Sequence, residues 1–337
     1  MTRVVVIGNA TVDVILRVER FPLPGETLLC DAMLVCAGGK GLNQAIASAR
    51  TGAPTLLCAP AAADANGELL ARAVAAQAGL DAHWLATAPP TDISTIWIDA
   101  DGENVIVSSV AAAAAMEPAH AIAACAALGD GDVLLIQGNL SEATTAAAIK
   151  RAHANGARIV LNTAPMRPWM GSLLAAVDVV VANAVEADQL AASTRVDFNA
   201  NANANANGNG NGNANGNANG SDCASDCEAA LLEAGAGAVI VSRGRAGAVL
   251  ATGRGRCVVP APAVAAVDTA GAGDVMAGTL AGLLAQGIGI AVALEVAVAA
   301  ASLSVTRSGT TPSFPTRAEI AGLRANCAPD AQERCRA

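Results

Sequence analysis

Short apolar runs rich in β-branched residues alternate with Ala-rich stretches of helical length along most of the chain, and this alternation constrains the fold more than any other feature. The runs are Val4 to Ile7, Thr55 to Cys58, Val133 to Gln137, Arg158 to Leu161, Val177 to Val181 and Ala238 to Ser242. Strands without polar alternation are buried on both faces, and parallel neighbours need a crossover, which the Ala-rich stretches supply as helices. The pattern predicts three α/β/α layers around a mainly parallel sheet, with ligands at the carboxyl ends of the strands. With 337 residues, 53% of them hydrophobic, the chain can bury one large core, so 1–337 is read as a single domain.

One segment breaks the alternation. Ile93 to Asp99 and Asn104 to Ser109 flank Asp101-Gly102, a strong two-residue hairpin signal. Together with Val14 to Val18 and Leu28 to Val35, they predict a small antiparallel sheet outside the main layer, its strands drawn from about 14–37 and 93–110. Such a flap covers a site and excludes water. Residues 199–220 alternate Asn with Ala or Gly and hold no large apolar group, so nothing there offsets the entropy of ordering. They are expected to be a disordered surface insertion between helical patterns at Ala184 to Ser193 and Ala224 to Glu233.

Charge and composition remove several classes. A net charge of -9 without Lys/Arg runs argues against a nucleic-acid surface or an anionic membrane, both of which need clustered cations. Aromatics are 2% with no Tyr, so base-stacking platforms are scarce. The start is too short for a signal h-region, and the uncharged stretch Val275 to Leu294 is mostly Ala and Gly, which predicts a packed helix pair instead of a membrane span. Nine cysteines without an export signal predict reduced thiols in the cytoplasm, with Cys30, Cys36, Cys58 and Cys125 as core filler. The Ser221 to Cys227 segment looks like a metal clip but lacks the paired ligands of a structural zinc site.

Two Gly-rich segments carry chemistry. In Asp268-Thr269-Ala270-Gly271-Ala272-Gly273-Asp274, small residues leave backbone N–H groups uncovered at the start of a helix, where amides lack partners and the dipole is positive. A phosphoryl group in transfer finds its charge balanced there, and Asp274 beside it can take the proton of an attacking hydroxyl. The same segment also reads as an acidic cap on a Gly-rich loop. In Gly38-Gly39-Lys40-Gly41-Leu42-Asn43-Gln44-Ala45, glycines admit a ligand to the backbone, Lys40 supplies a point charge and Asn43 can bond sugar hydroxyls. It is not a Walker A loop, since Gly follows the Gly-Lys pair, and it also reads as a plain helix start. Only Gly8 follows the first strand, so the fingerprint of a nicotinamide-dependent dehydrogenase is missing.

Taken together, these two segments resemble the signature regions of the ribokinase family of sugar and nucleoside kinases. Further matches fall in the family's order: Gly8 to Asp13, Phe21 to Thr27, Gly102 to Ile106, Asn183 to Glu186 and Val305 to Ser313. The resemblance covers nearly the whole chain outside the Asn-rich segment. It implies ATP-dependent phosphorylation of a sugar hydroxymethyl group beneath a β-sheet lid that often pairs two subunits. By the same resemblance Asp274 is the catalytic base, and Gly271, Ala272 and Gly273 form the anion hole. Thr11, Asp13, Gly39, Lys40, Asn43 and Asn139 occupy sugar-binding positions. Asn183 and Glu186 match a motif that organises Mg²⁺ and phosphate, Ser242, Gly244 and Gly273 contact the nucleotide, and Asp268, Ala270, Arg307, Gly309 and Ser313 surround a monovalent cation, usually K⁺.

The chain departs from the family at the acceptor site. Thr11 stands where Asn is usual, Asn139 where Glu is frequent, Ala111 to Ala115 replace a Gly-Ala-Asn segment, and Ala62 replaces a Gly before Asp64. A neutral amide donates as well as accepts, so the polarity of one sugar contact changes at Asn139. Ribose, another furanose, a nucleoside, or no turnover at all in a sugar-sensing protein remain open at this point.

Overall fold

The computed structural model describes residues 2–100, 103–205 and 223–327. First come β1 (Val4–Ile7), β2 (Thr11–Arg17), β3 (Ala32–Gly38), α1 (Lys40–Arg50), β4 (Thr55–Ala61), α2 (Ala65–Ala75) and β5 (Leu80–Ala86), then β6 (Ile93–Ile98) and β7 (Asn104–Ser108). The middle of the chain holds α3 (Ala111–Ala114), α4 (Pro118–Cys125), β8 (Val133–Ile136), α5 (Glu142–Ala154), β9 (Arg158–Asn162), β10 (Val179–Asn183) and α6 (Ala184–Asn205). After these come α7 (Cys223–Glu233), β11 (Ala238–Ser242), β12 (Ala248–Thr252), β13 (Gly255–Val259), α8 (Ala272–Ala285), α9 (Ile290–Ser304) and α10 (Arg317–Ala325).

Nine strands form the main sheet in the order β13-β12-β11-β10-β9-β8-β1-β4-β5. All neighbours from β5 to β11 are parallel, and at one edge the reversed strand β12 makes antiparallel pairs with β11 and with β13. Side chains alternate between two cores. Val4 and Val6 face α1, α8 and α9, while Val5 and Ile7 face α4 to α7. Each fully buried Val, Leu or Ile contributes roughly 1.5–3 kcal/mol, which is why the two-faced strands read as unbroken apolar runs. The uncharged C-terminal stretch is the helix pair α8–α9, and no helix among the described residues is long and apolar enough to cross a membrane.

A second sheet, β3-β2-β6-β7, forms the lid. Its outer pairs are antiparallel, and its inner pair, β2 with β6, is parallel. Parallel β1 and β5 each run straight on into a lid strand, so β2 and β6 enter the lid from the same side. The hairpin tip Asp101-Gly102 lies outside the described residues, yet the expected pairing is seen, with Ile98 opposite Asn104. The backbone of α6 is helical to Asn205, and the remainder of the Asn-rich segment lies outside the described residues.

The cysteine expectations hold only in part. Cys58 and Cys125 are buried, but Cys36 is half-buried at the lid root and Cys30 is exposed in the loop between β2 and β3. Cys257 is disulfide-bonded, so the all-reduced expectation fails there.

Candidate active site

The strand order reverses between β1 and β8, because the chain builds outward from β1 to β4 and β5 and then returns to its other side with β8. Crevices of this kind, at the carboxyl ends of strands, are where parallel sheets hold ligands. Gly8-Asn9 follow β1 and Gln137-Gly138-Asn139 follow β8, so both line this point. A cavity of about 690 Å³ is at the opposite end of the sheet, lined by Arg158, Asp178 and Gly287 among others, away from every candidate site residue.

Glycines bring the two signature segments together. Gly39 caps α1 with φ +92°, and a Cβ there would lie 2.8 Å from the Thr11 nitrogen. A Cβ on Gly278 would lie 2.3 Å from the Gln44 carbonyl oxygen, and one on Gly282 would lie 2.8 Å from that of Ser48. Only this bare face of α8 lets α1 approach closely enough for its first turn to meet the first turn of α8. There, Asn43 Nδ2 donates to Asp274 Oδ2 at 3.0 Å and Gln44 Nε2 to Oδ1 at 2.9 Å, while Lys40 Nζ sits 3.6 Å from Oδ1. Asp274 is 5% exposed.

Behind the carboxylate lies a buried amide network that the sequence reading did not single out. Gln44 Nε2 also donates to Asn162 Oδ1 at 3.0 Å, Gln137 Nε2 donates to Gln44 Oε1 at 2.8 Å, and Asn162 Nδ2 donates to the Val181 carbonyl. Since Gln44 can satisfy these partners in only one orientation, the network fixes which edge it presents to Asp274. Polar residues where apolar strands end, Gln137 just after β8 and Asn162 at the end of β9, were the available signal.

Asp13 faces the same region from β2. Its carboxylate accepts from Thr11 Oγ1 at 2.7 Å and from the Ser94 side chain, and a Cβ on Gly38 would lie 1.9 Å from its Oδ2. Burial pushes Asp13 up to about 6, with the Thr11 hydrogen bond opposing and the charge of Asp274 adding to the rise. Thr11 therefore gives its hydroxyl proton to Asp13. Among the described residues, Asn43 Oδ1, Gln137 Oε1 and Asn139 Oδ1 are buried acceptors without a partner.

α8 begins after Gly271, which has φ +79° and whose Cβ would lie 2.7 Å from Phe314. A Cβ at Gly273 would meet nothing within 4 Å, so there is room beside the first turn of α8 at that residue. Asn183 and Ser242 pair across the ends of β10 and β11. Glu186 Oε2 accepts from the Asn183 amide at 3.1 Å and from Thr163 Oγ1 at 2.9 Å, and Asn183 Oδ1 accepts from the Glu186 amide at 2.8 Å. Gly244 follows Ser242 with φ +54°. Asp268 accepts from the Ala270 and Gly309 amides, both at 2.9 Å, tying the loop before α8 to the loop after α9. Ser313 Oγ donates to the Thr310 carbonyl in that second loop, and the Arg307 guanidinium turns aside to Glu319.

A buried carboxylate in the first turn of a helix that starts after a glycine, with a second carboxylate and amide acceptors near it, suits a phosphotransferase acting on a hydroxyl-bearing acceptor. The model of the pfkB family of carbohydrate kinases matches residues 1–317, and the chain belongs to that family. It is an ATP-dependent carbohydrate kinase. Over 324 residues the chain is 29% identical to a ribokinase of Bacillus subtilis, covering 96% of this chain and 99% of that one. A deoxyribokinase of Salmonella typhi is 28% identical over 316 residues, covering 93% and 95%. A bifunctional ribokinase/ribose-5-phosphate isomerase A of Fructilactobacillus sanfranciscensis is 29% identical over 326 residues, 95% of this chain but 56% of that longer protein. Among solved structures, ribokinase of Thermotoga maritima superposes with a TM-score of 0.81 at 26% identity, covering 97% of this chain and 100% of that one. Arabidopsis thaliana ribokinase complexed with ribose and ATP gives 0.79 at 25%, with the same coverage.

Proposed function

We propose that this kinase is a ribokinase, transferring the terminal phosphoryl group of ATP to the 5-hydroxyl of D-ribose. The observation that carries the reading is the placement of Asp274, buried and held by Asn43 and Gln44 in the first turn of α8, beside the Gly271 to Gly273 backbone. As the hydroxyl oxygen bonds to phosphorus, its proton passes to Asp274, the bond to the ADP oxygen breaks, and the amides balance the moving charge. Asp13, Gly39, Lys40, Asn43 and Asn139 hold the sugar, with Thr11 acting through Asp13. Three buried acceptors without partners suit an acceptor that brings many hydroxyl donors. Asn183, Glu186, Ser242, Gly244 and Gly273 take the nucleotide.

Two ions fit the residues present. Glu186 has one oxygen fixed by Asn183 and Thr163, which suits a hydrated Mg²⁺ held through water. Asp268 with the main chain around Ala270, Arg307, Gly309 and Ser313 suits a weakly hydrated K⁺. When bound, these ions would supply positive charge near the phosphates. The lid leaves β3 and β7 as edges and exposes Met33, Ile106 and Val107, which supports a homodimer through the lid. The free thiols of Cys30, Cys36, Cys58 and Cys125 support a cytoplasmic location.

The second reading is a kinase for another furanose, such as deoxyribose, or for a nucleoside, favoured by Thr11 giving its proton to Asp13 and by the neutral Asn139. ADP release from MgATP, with D-ribose, 2-deoxy-D-ribose, pseudouridine or no acceptor, and with K⁺ replaced by Na⁺, tests all of these. Ribose-dependent turnover raised by K⁺ is the expected result. Preference for another acceptor moves the substrate, and silence with every acceptor leaves a sugar-sensing protein.

A further inference from the structure

One buried carboxylate has no part in the transfer chemistry. Asp92 is 1% exposed, and no cation pairs with it among the described residues. It lies where the chain leaves the main sheet for β6, and it bonds two further chain crossings at the lid root. Its Oδ1 accepts from Ser109 Oγ at 2.9 Å and from the Ala112 amide at 3.2 Å, and its Oδ2 from the Ala113 amide at 2.8 Å, where β7 returns to the body. Its own carbonyl accepts from the Val12 amide at 3.0 Å, where β2 enters the lid. Ser109 Oγ in turn receives the Ile93 amide at 2.9 Å. The preceding residue faces the body: the Thr91 amide donates to Asp64 Oδ2 at 2.9 Å, and the Ala62 amide donates to Thr91 Oγ1 at 2.9 Å.

These bonds set the first rung of the lid ladder. Val12 pairs with Ile93, and the next pair is Asp13 with Ser94, whose side chain bonds the Asp13 carboxylate. Strand side chains alternate faces, so a one-residue slip at this rung would turn Asp13 away from the site. A buried carboxylate with three donors is costly to disturb, since each donor released is left unsatisfied.

We propose that Asp92 is a positioning residue that fixes the lid root and, through the Val12–Ile93 rung, sets Asp13 and Ser94 against the sugar. The inference rests on the sugar-binding role of Asp13. It assigns Asp92 to acceptor binding and lid closure, separate from the ATP side of the reaction.

Asp92→Asn keeps the side chain's shape but can satisfy fewer of the three donors. It is expected to raise KM for the preferred sugar about tenfold while leaving kcat and KM for MgATP within about twofold. ADP formed without sugar should rise, because a loosened lid admits water to the phosphoryl group. Amide exchange at Val12, Ala112 and Ala113 should quicken while amides of β8, β9 and β10 keep their rates. Ser109→Ala, which removes one donor, should give a smaller change of the same pattern and serves if Asp92→Asn does not fold. An equal rise in both KM values, or faster exchange across β8 to β10, marks a general stabiliser and overturns the proposal, as does no change at all. If the unaltered protein phosphorylates no acceptor, the functional reading fails separately, and the exchange pattern alone then upholds or overturns the anchoring role.

Discussion

Replacing Asp274 by Asn keeps the side chain's shape but removes one proton-accepting oxygen and the negative charge that faces Lys40 Nζ at 3.6 Å. The carboxylate receives Asn43 Nδ2 at 3.0 Å and Gln44 Nε2 at 2.9 Å, and an amide oxygen can still accept one of them. The other donor is left facing an NH₂ group, which costs about 1–3 kcal/mol of folding stability, a loss that a domain with two extensive cores survives. The chemical cost is larger. An amide cannot take the hydroxyl proton, and general-base effects of roughly 10²- to 10⁴-fold correspond to about 3–5 kcal/mol of barrier. The assay is sugar-dependent ADP release at saturating MgATP, with circular dichroism to confirm folding. The expected result is a loss of kcat of at least about 100-fold with little change in KM for MgATP. The same change removes the charge that helps push Asp13 up, so the Asp13 limb of sugar binding should move to lower pH. A folded variant with kcat within about tenfold of the original would refute the base assignment.

Asp13, raised from 3.8 to about 6, binds its proton more tightly folded than unfolded, so its contribution to stability is full below about 4 and is lost as pH rises through about 6. Urea midpoints across this window should fall less steeply for Asp13→Asn, and a slope identical to the original would contradict the shift. The ionised carboxylate is the better acceptor for sugar hydroxyls, so KM for sugar should fall as pH rises through about 6, and a rise would oppose this role for Asp13. Gly271→Ala puts a Cβ at φ +79° and 2.7 Å from Phe314, so melting temperature and kcat should both drop, and an unchanged kcat would argue against these amides as the anion hole. Gly38→Ala places a Cβ 1.9 Å from Asp13 Oδ2 and should raise KM for sugar far more than KM for MgATP. Excising residues 206–220 should leave kcat and both KM values unchanged, and loss of activity would give that segment a role in catalysis.

The fold was legible where burial is uniform. Val4 to Ile7, Val133 to Ile136 and Ala238 to Ser242 are buried on both faces, and their apolar runs announce it without ambiguity. Strand β5 went unread because Leu80 to Ala86 mixes Asp, His and Ala at the sheet edge, where one face is wet. Strand β13 was missed for a similar reason, with Gly and Arg interrupting the pattern at the opposite edge, and β12, although Ala248 to Ala251 are buried, was passed over as a short run. The lid strands were foreseen, but the parallel pairing of β2 with β6 depends on which side each strand enters from, and that is a property of the main sheet.

The sequence by itself determined the layered fold, the two Gly-rich segments and the identity of Asp274, because each depends on local periodicity or on small residues at a helix start. Only the tertiary structure decided the rest. Gln44, Gln137 and Asn162 are far apart in the chain and become a network only when α1 closes on the bare face of α8. Asp13 acquires its raised affinity for a proton because folding buries it near a second carboxylate. Asp92 becomes an anchor because β2, β6 and β7 cross at one point. Long-range hydrogen bonds and shared burial leave no local periodicity, so only packing brings them into being.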